Sequence, residues 1–369
     1  MKKLAIIGAS YLQLPLVEKA KLMGIETHCF AWSEGAVCEK TADYFYPVSI
    51  LEKEEILKKC IEINIDGITT IATDMAVPTV CFVAEKMNLI SNSFSSSLAS
   101  TNKWNMRTAF NDGNCSIPQF ILVNDCNINI EKLKFPLIVK PVDRSGSRGV
   151  TKVVSEKELS EAINYALNES FCKKAVIEEY IEGKEVSVET ISWKGKHTIL
   201  AITDKVTTEA PHFVELQHHQ PSNLPQNIQD KIKTETVKCL NVLHINFGAG
   251  HSEFKITPNG DIYIIETGAR MGGDFIGSHL VELSTGYDYL KGVINCAMGN
   301  FKKPVFQKNN CSGIYFLCKE TEQILPYFYK ENNFDIQKEV QNPILKNITN
   351  SNDRSGYLIY QDVKKIELL

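Results

Sequence analysis

Apolar and polar positions in the first hundred residues alternate between two periods. Leu4 to Ile7 is a short unbroken apolar run of the buried-strand kind, closed by Gly8-Ala9-Ser10. Leu14 to Met23 then repeats its apolar positions at helical spacing as far as Gly24, a natural C-terminal stop. Glu26 to Ala31 and Gly67 to Ala72 read as further strands, and Lys53 to Ile61 and Pro78 to Met87 as helices. Strands alternating with helices predict a parallel, doubly wound sheet over residues 1–100. The lone Gly8 is no dinucleotide fingerprint, because the G-x-G-x-x-G spacing is absent.

Beyond residue 100 the pattern becomes α+β. Helices are predicted over Ser100 to Asn111, Glu156 to Asn168, Asn227 to Leu243, Phe275 to Thr285 and Tyr287 to Met298. Phe135 to Val142 and Glu185 to Trp193 read as strands, and Thr207 to Pro225 as a long, prolyl, histidine-bearing loop of the lid type. Ser312 to Leu317, a short helix near Thr321 to Tyr329, and Gly356 to Tyr360 suggest a small α+β cap over 301–369.

Composition narrows the class. With 369 residues, 43% hydrophobic and 23% charged, the chain suits two or three ordinary globular domains. A formal charge of −4 gives no reason to expect nucleic acid or an anionic membrane as partner. The 11 cysteines contain no C-x-x-C pair and read as reduced thiols of a cytoplasmic protein. The start MKKLAIIGAS mimics a signal peptide, but its apolar run is too short and reads as a first strand and turn. No stretch approaches the roughly 20 apolar residues of a membrane span.

Candidate chemistry concentrates between His251 and Gly273, HSEFKITPNGDIYIIETGARMGG. His251 to Ile256 and Asp261 to Glu266 read as a hairpin, and a two-residue type I′ loop at Asn259-Gly260 places Glu253 directly opposite Glu266. Like charges at opposed positions are destabilising. A hard cation such as Mg²⁺ would turn that repulsion into a site, whereas the plain reading is a solvated hairpin. Alternation carries Gly268 and Arg270 onto the face of Glu266. Upstream, Lys140 ends an apolar run, where a lysine wants an anionic partner. The donor-rich segment Asp143 to Gly149 follows it, fit to wrap phosphate or to form a mobile turn. Lys103 near a helix start opposes the macrodipole, or is merely solvated. Val176 to Glu185 reads as a hinge or an exposed acidic loop. Asp74 lies where open sheets bind ligands, although an ordinary helix N-cap is the plainer reading.

Together, these motifs resemble the ATP-grasp superfamily, whose fold joins a Rossmann-like N-terminal domain to two sub-domains that grip ATP. The resemblance implies an ATP-grasp region over 101–300, with a small sub-domain near 115–185 and a large one near 186–300. Lys103 and Lys140 match the lysines on the ATP phosphates, and Ser145, Gly146, Ser147 and Gly149 the flexible phosphate loop. Glu178, Glu179 and Ile181 fit the adenine-reading hinge, and Glu185 the ribose contact. Glu253 and Glu266 match the carboxylates that hold Mg²⁺ or Mn²⁺, and Arg270 the arginine that stabilises the oxyanion. The family's further metal-ligand asparagine is here Gly268, so ligation needs another donor.

The run Glu266 to Gly273 looks closest to the carboxylate–amine ligase branch that includes L-amino-acid (dipeptide) ligases. It implies an acyl-phosphate route to an amide with release of ADP and phosphate. Asp74, Gly272 and Gly273 are then expected at the substrate, with His218 or His219 accepting or orienting the amine proton. A surface-loop histidine is otherwise incidental. The competing readings are a biotin-carboxylase-like or purine-biosynthesis enzyme and a non-catalytic ATP-binding module. Expected partners are a small carboxylic acid and an amine, with no nucleic acid, no membrane, and a homodimer as the candidate assembly.

Overall fold

Four strands, β1 (Lys3–Ile7), β2 (Glu26–Phe30), β3 (Tyr44–Tyr46) and β4 (Gly67–Thr69), pair in parallel in the order β3-β2-β1-β4. The computed structural model describes all 369 residues except Ser145, Ser147 and Glu209. Central β1 is buried on both faces, sending Leu4 and Ile6 into one core and Ala5 and Ile7 into another. That double burial is why it reads as an unbroken apolar run. The first of these cores also takes Ile191, Met271 and the inner face of the helix Tyr289–Ala297, so this domain shares its interior with the large sheet described below.

A second sheet of β5 (Phe120–Val123), β6 (Leu137–Pro141), β7 (Thr151–Val153) and β8 (Ala175–Glu179) is antiparallel, in the order β5-β8-β6-β7. The helix Glu156–Glu169 closes over it to form a separate core. The third sheet has eight antiparallel strands: β9 (Lys184–Trp193), β10 (Lys196–Thr207), β11 (Glu215–Gln220), β12 (Phe247–Ile256), β13 (Ile262–Gly268), β14 (Cys311–Leu317), β15 (Asp335–Val340) and β16 (Gly356–Asp362). Their order is β13-β12-β9-β10-β11-β14-β16-β15. Residues 301–369, expected as a cap, thus extend this same sheet.

Two local departures from the sequence reading position the site. The helix expected over Ser100 to Asn111 is split at Asn102, whose extended backbone ends Phe94–Thr101 and whose side chain caps Lys103–Asp112 through the Asn105 amide. Lys103 therefore sits at a helix start and is mostly buried. The loop expected over Thr207 to Pro225 contains β11, held between β10 and β14, and it carries both candidate histidines into the interior. His219 points away from the cleft. Its Nδ1 lies 2.8 Å from the Tyr360 hydroxyl and its Nε2 2.6 Å from Gln217 Oε1, and its ring packs on Tyr315. The catalytic role expected of His219 is thereby overturned, because every polar atom of the ring is occupied by structural partners.

Burial pushes the His219 imidazole down to about 3, with Lys365 and His218 adding to the effect. The unfolded chain takes up a proton near the ordinary 6.5, which the folded chain refuses, so stability falls as pH drops below that value. His219→Gln should remove about 2 kcal/mol of the acid loss between pH 6.5 and about 5, read from urea midpoints. An unchanged pH slope would mean that the ring titrates freely in the fold.

Candidate active site

The hairpin places Glu253 opposite Glu266 by a route different from the two-residue loop. The Gly260 amide donates to the Thr257 carbonyl at 2.9 Å, the Thr257 amide donates to the Asp261 carbonyl at 2.9 Å, and only Gly260 takes a positive φ, at 81°. This is a type I turn followed by a left-handed glycine. It would misalign the glutamates by one residue. A β-bulge between Glu253 and Phe254 restores the pairing, leaves Ile265 as the extra residue, and turns Ile265 and Glu266 both toward the cleft.

The carboxylates are embedded in cations. Lys205 of β10, with a side chain only 3% exposed, lies 2.7 Å from Glu253, 2.9 Å from Glu185 and 3.6 Å from Glu215. Burial works against its charge, yet the three carboxylates hold its pKa well above the ordinary lysine range. His251 bridges Glu189 and Glu253, and although burial opposes protonation these carboxylates raise it to about 9. Glu185, the expected ribose contact, is also 3.0 Å from Lys255. Glu266 has Lys103 at 3.4 Å.

Lys140 lies next to last in β6, and the anionic partner expected for it is Glu178 at 2.8 Å. Arg107, which carries no signal in the sequence, grips the same carboxylate from Nε and Nη2 at 2.8 and 3.0 Å and donates to the bulged Ile265 carbonyl at 2.8 Å. Burial opposes ionisation of Glu178, but Arg107 and Lys140 depress it to about 2. The direct adenine contact expected of Glu178 is therefore corrected: its oxygens are spent on two internal cations. Glu179, Tyr180 and Ile181 line the cleft beside it. Of the loop that follows Lys140, Ser145 and Ser147 lie outside the described residues. Gly146 lines the cleft with open space where a side chain would start. Gly149 is a packing residue, because a Cβ there would meet Pro141 Cγ at 2.7 Å. Arg144 and Arg148 line the cleft near Lys140, and the Arg144 carbonyl accepts from Lys103 at 2.7 Å.

Arg270 pairs in a bidentate manner with Asp74 at 2.9 and 2.8 Å. Asp74 therefore caps no helix; Arg270 keeps it ionised despite its burial. The bare backbone at Gly268 makes the approach possible, since a Cβ there would lie 2.5 Å from Asp74 Oδ1. Gly273 lines the cleft, whereas the Gly272 amide donates to Glu189 at 3.0 Å and faces the interior, which removes it from the expected substrate contacts. His218, 1% exposed, has no hydrogen-bond partner for either ring nitrogen among the described residues; its Nε2 is 3.9 Å from Asp274, which Arg354 holds at 2.8 Å. Burial lowers the His218 imidazole, so it stays neutral.

One cleft of about 500 Å³ is lined by Glu179 to Ile181, by Glu253 and Glu266, and by Asp74, Arg270 and His218. Glu253 and Glu266 suit a hard divalent cation: they are opposed in register, open to the cleft, and each is about a quarter exposed at 26% and 23%. Among the described residues no helix is long and apolar enough to cross a membrane.

Residues 133–278 match the family described as the ATP-grasp domain. The chain is 32% identical over 143 residues to a D-alanine–D-alanine ligase of Flavobacterium johnsoniae, covering 37% of this chain and 43% of that protein. It is 28% identical over 246 residues to an alanine–anticapsin ligase of Bacillus subtilis, covering 60% and 51%. The matches thus span about half the length of these curated relatives. An L-amino acid ligase structure from Bacillus licheniformis superposes with a TM-score of 0.81 at 23% identity, over 99% of this chain and 94% of that one, and establishes the fold.

The ion trio is testable apart from activity. Arg107→Leu should cost about 3 kcal/mol in a urea-unfolding measurement, because it strands part of a buried carboxylate's charge. A loss below about 1 kcal/mol would show that Lys140 alone suffices.

Proposed function

We propose that this chain, which carries an ATP-grasp domain, is an ATP-dependent carboxylate–amine ligase that joins amino-acid-like substrates through an acyl-phosphate and releases ADP and phosphate. The observation that carries the reading is one cleft that lysines and arginines, two opposed carboxylates, Arg270 and His218 line together. Relatives that match part of the chain are named D-alanine–D-alanine ligase and alanine–anticapsin ligase, which supports an amino-acid-like substrate. All 11 cysteines are free thiols, which fits a reducing compartment such as the cytoplasm.

The chemistry follows from charge. A carboxylate oxygen attacks the γ-phosphorus and the bond to ADP breaks, so anion meets anion. Lys103, Lys140, Arg144 and Arg148 lie where that charge is offset. A divalent cation, Mg²⁺ or Mn²⁺, held by Glu253 and Glu266 supplies further neutralisation when bound. The amine nitrogen then attacks the acyl carbon and phosphate leaves with its electron pair. Arg270 presents fixed guanidinium donors to the developing oxyanion, oriented by Asp74. Neutral His218, with both nitrogens unpartnered among the described residues, accepts the amine proton.

The test is release of ADP and phosphate against pairs of amino acids with Mg²⁺, the product identified by mass spectrometry. AMP and pyrophosphate as products, or turnover that requires bicarbonate in place of an amino acid, overturn the reading. Glu266→Gln should abolish Mg²⁺-dependent turnover with the fold intact. The double variant Arg270→Ala/Asp74→Ala, which leaves no stray charge, should lower kcat by about 10²–10³ while keeping affinity for a non-hydrolysable ATP analogue. Parallel loss of nucleotide affinity would make Arg270 a phosphate anchor.

A further inference from the structure

Away from the cleft, three potential ligand side chains converge where the helix Gln226–Val242 meets the segment that follows Lys103–Asp112. One Sγ from each of Cys115 and Cys239 and a carboxylate oxygen of Glu235 all lie within 4.8 Å of one another. We propose that Cys115, Glu235 and Cys239 form a second metal site, taking one borderline-soft divalent cation of the Zn²⁺ type.

Glu235 and Cys239 are four residues apart on one helix and so share a face. Cys115 is brought to them by the turn after Gly113, where a Cβ would press on Val242. Both thiols are buried, at 7% and 0% exposure, while Glu235 is partly open and leaves a route for the ion and a water as fourth ligand. Glu235 is already oriented: its Oε1 accepts from the Ser116 amide at 2.6 Å, leaving Oε2 free apart from Lys238 at 3.8 Å. Such a hydrogen bond to a ligand is what fixes a metal site's geometry.

A divalent cation suits the charge of this ligand set. Two thiolates, one carboxylate, the cation and the Lys238 ammonium sum to zero. On binding, each thiol gives its proton to solvent and its sulfur lone pair to the metal. Zn–S bonds of about 2.3 Å in a tetrahedron put ligand atoms about 3.5–3.8 Å apart, so the trio contracts by roughly 1 Å or less. The ion would staple the helix to the segment whose Ser116 carbonyl receives the Ile264 amide and whose Pro118 lines the cleft.

The full chain, stripped of metal by chelator dialysis, is titrated with Co²⁺ and separately with Zn²⁺. One equivalent of Co²⁺ should give thiolate-to-cobalt charge-transfer absorption with proton release, and Zn²⁺ should bleach that absorption by displacement. Cys115→Ser and Cys239→Ser should each weaken binding at least about 10-fold. Glu235→Gln, which keeps the Ser116 bond through its amide oxygen, should weaken binding without unfolding the chain. Should a cysteine variant fail to fold, Zn²⁺ must still protect Cys115 of the natural chain from alkylation, mapped by mass spectrometry. Absence of the absorption in the folded protein, its survival in both cysteine variants, or a Cys115–Cys239 disulfide formed by mild peroxide in a protein that retains no metal would each overturn the proposal.

Discussion

Lys205 is the charge on which the cleft depends. Its ammonium touches carboxylates delivered by β9, β11 and β12, and it is almost wholly shielded from water. Three carboxylates brought together by sheet register would repel one another strongly in that low-dielectric setting. The lysine offsets that repulsion by lying within 3.6 Å of all three. Arg107 does the same on the opposite wall, where Glu178 is shared with Lys140. Both walls therefore meet the same requirement: a charged group offered to a ligand must first be neutralised from behind by a buried partner.

The part of this arrangement legible in the sequence is the part carried by local pattern. The β/α alternation announced the parallel sheet, and an apolar run ending in Lys140 announced an anion near that lysine. The Glu253–Glu266 pairing was reached through two displacements that cancel, a longer turn and a bulge. Turn type and bulge depend on cross-strand packing, which a single strand's pattern does not encode. β11 was hidden because Pro, His and Asn dominate its surroundings, although its own residues Glu215 to Gln220 are stabilised by pairing with strands distant in sequence. Lys205 offered a weaker signal than Lys140, because it follows Asp204 in a strand of mixed burial. Arg107 offered none, since an arginine in a polar helix is ordinary until a distant glutamate is folded against it.

The three sheets are not equivalent partners. The N-terminal sheet and the eight-stranded sheet share one interior through Leu4, Ile6, Met271 and Tyr289, whereas the small sheet has a core of its own. The cleft runs between a fused unit and a separately packed one. Its lining at Asp74, Arg270 and His218 comes wholly from the fused unit.

The missing side chain at Gly268 has an evolutionary corollary. The space a Cβ would occupy there belongs to Asp74, contributed by another domain almost two hundred positions earlier in the chain. The two positions are thus sterically coupled: a chain that acquires asparagine at 268 must first shrink or redirect residue 74, and then find Arg270 a new counter-ion. A chimera that exchanges the N-terminal domain for a relative's inherits this dependency. Compatible donors are those whose residue at the position of Asp74 and whose residue at the position of Gly268 travel together.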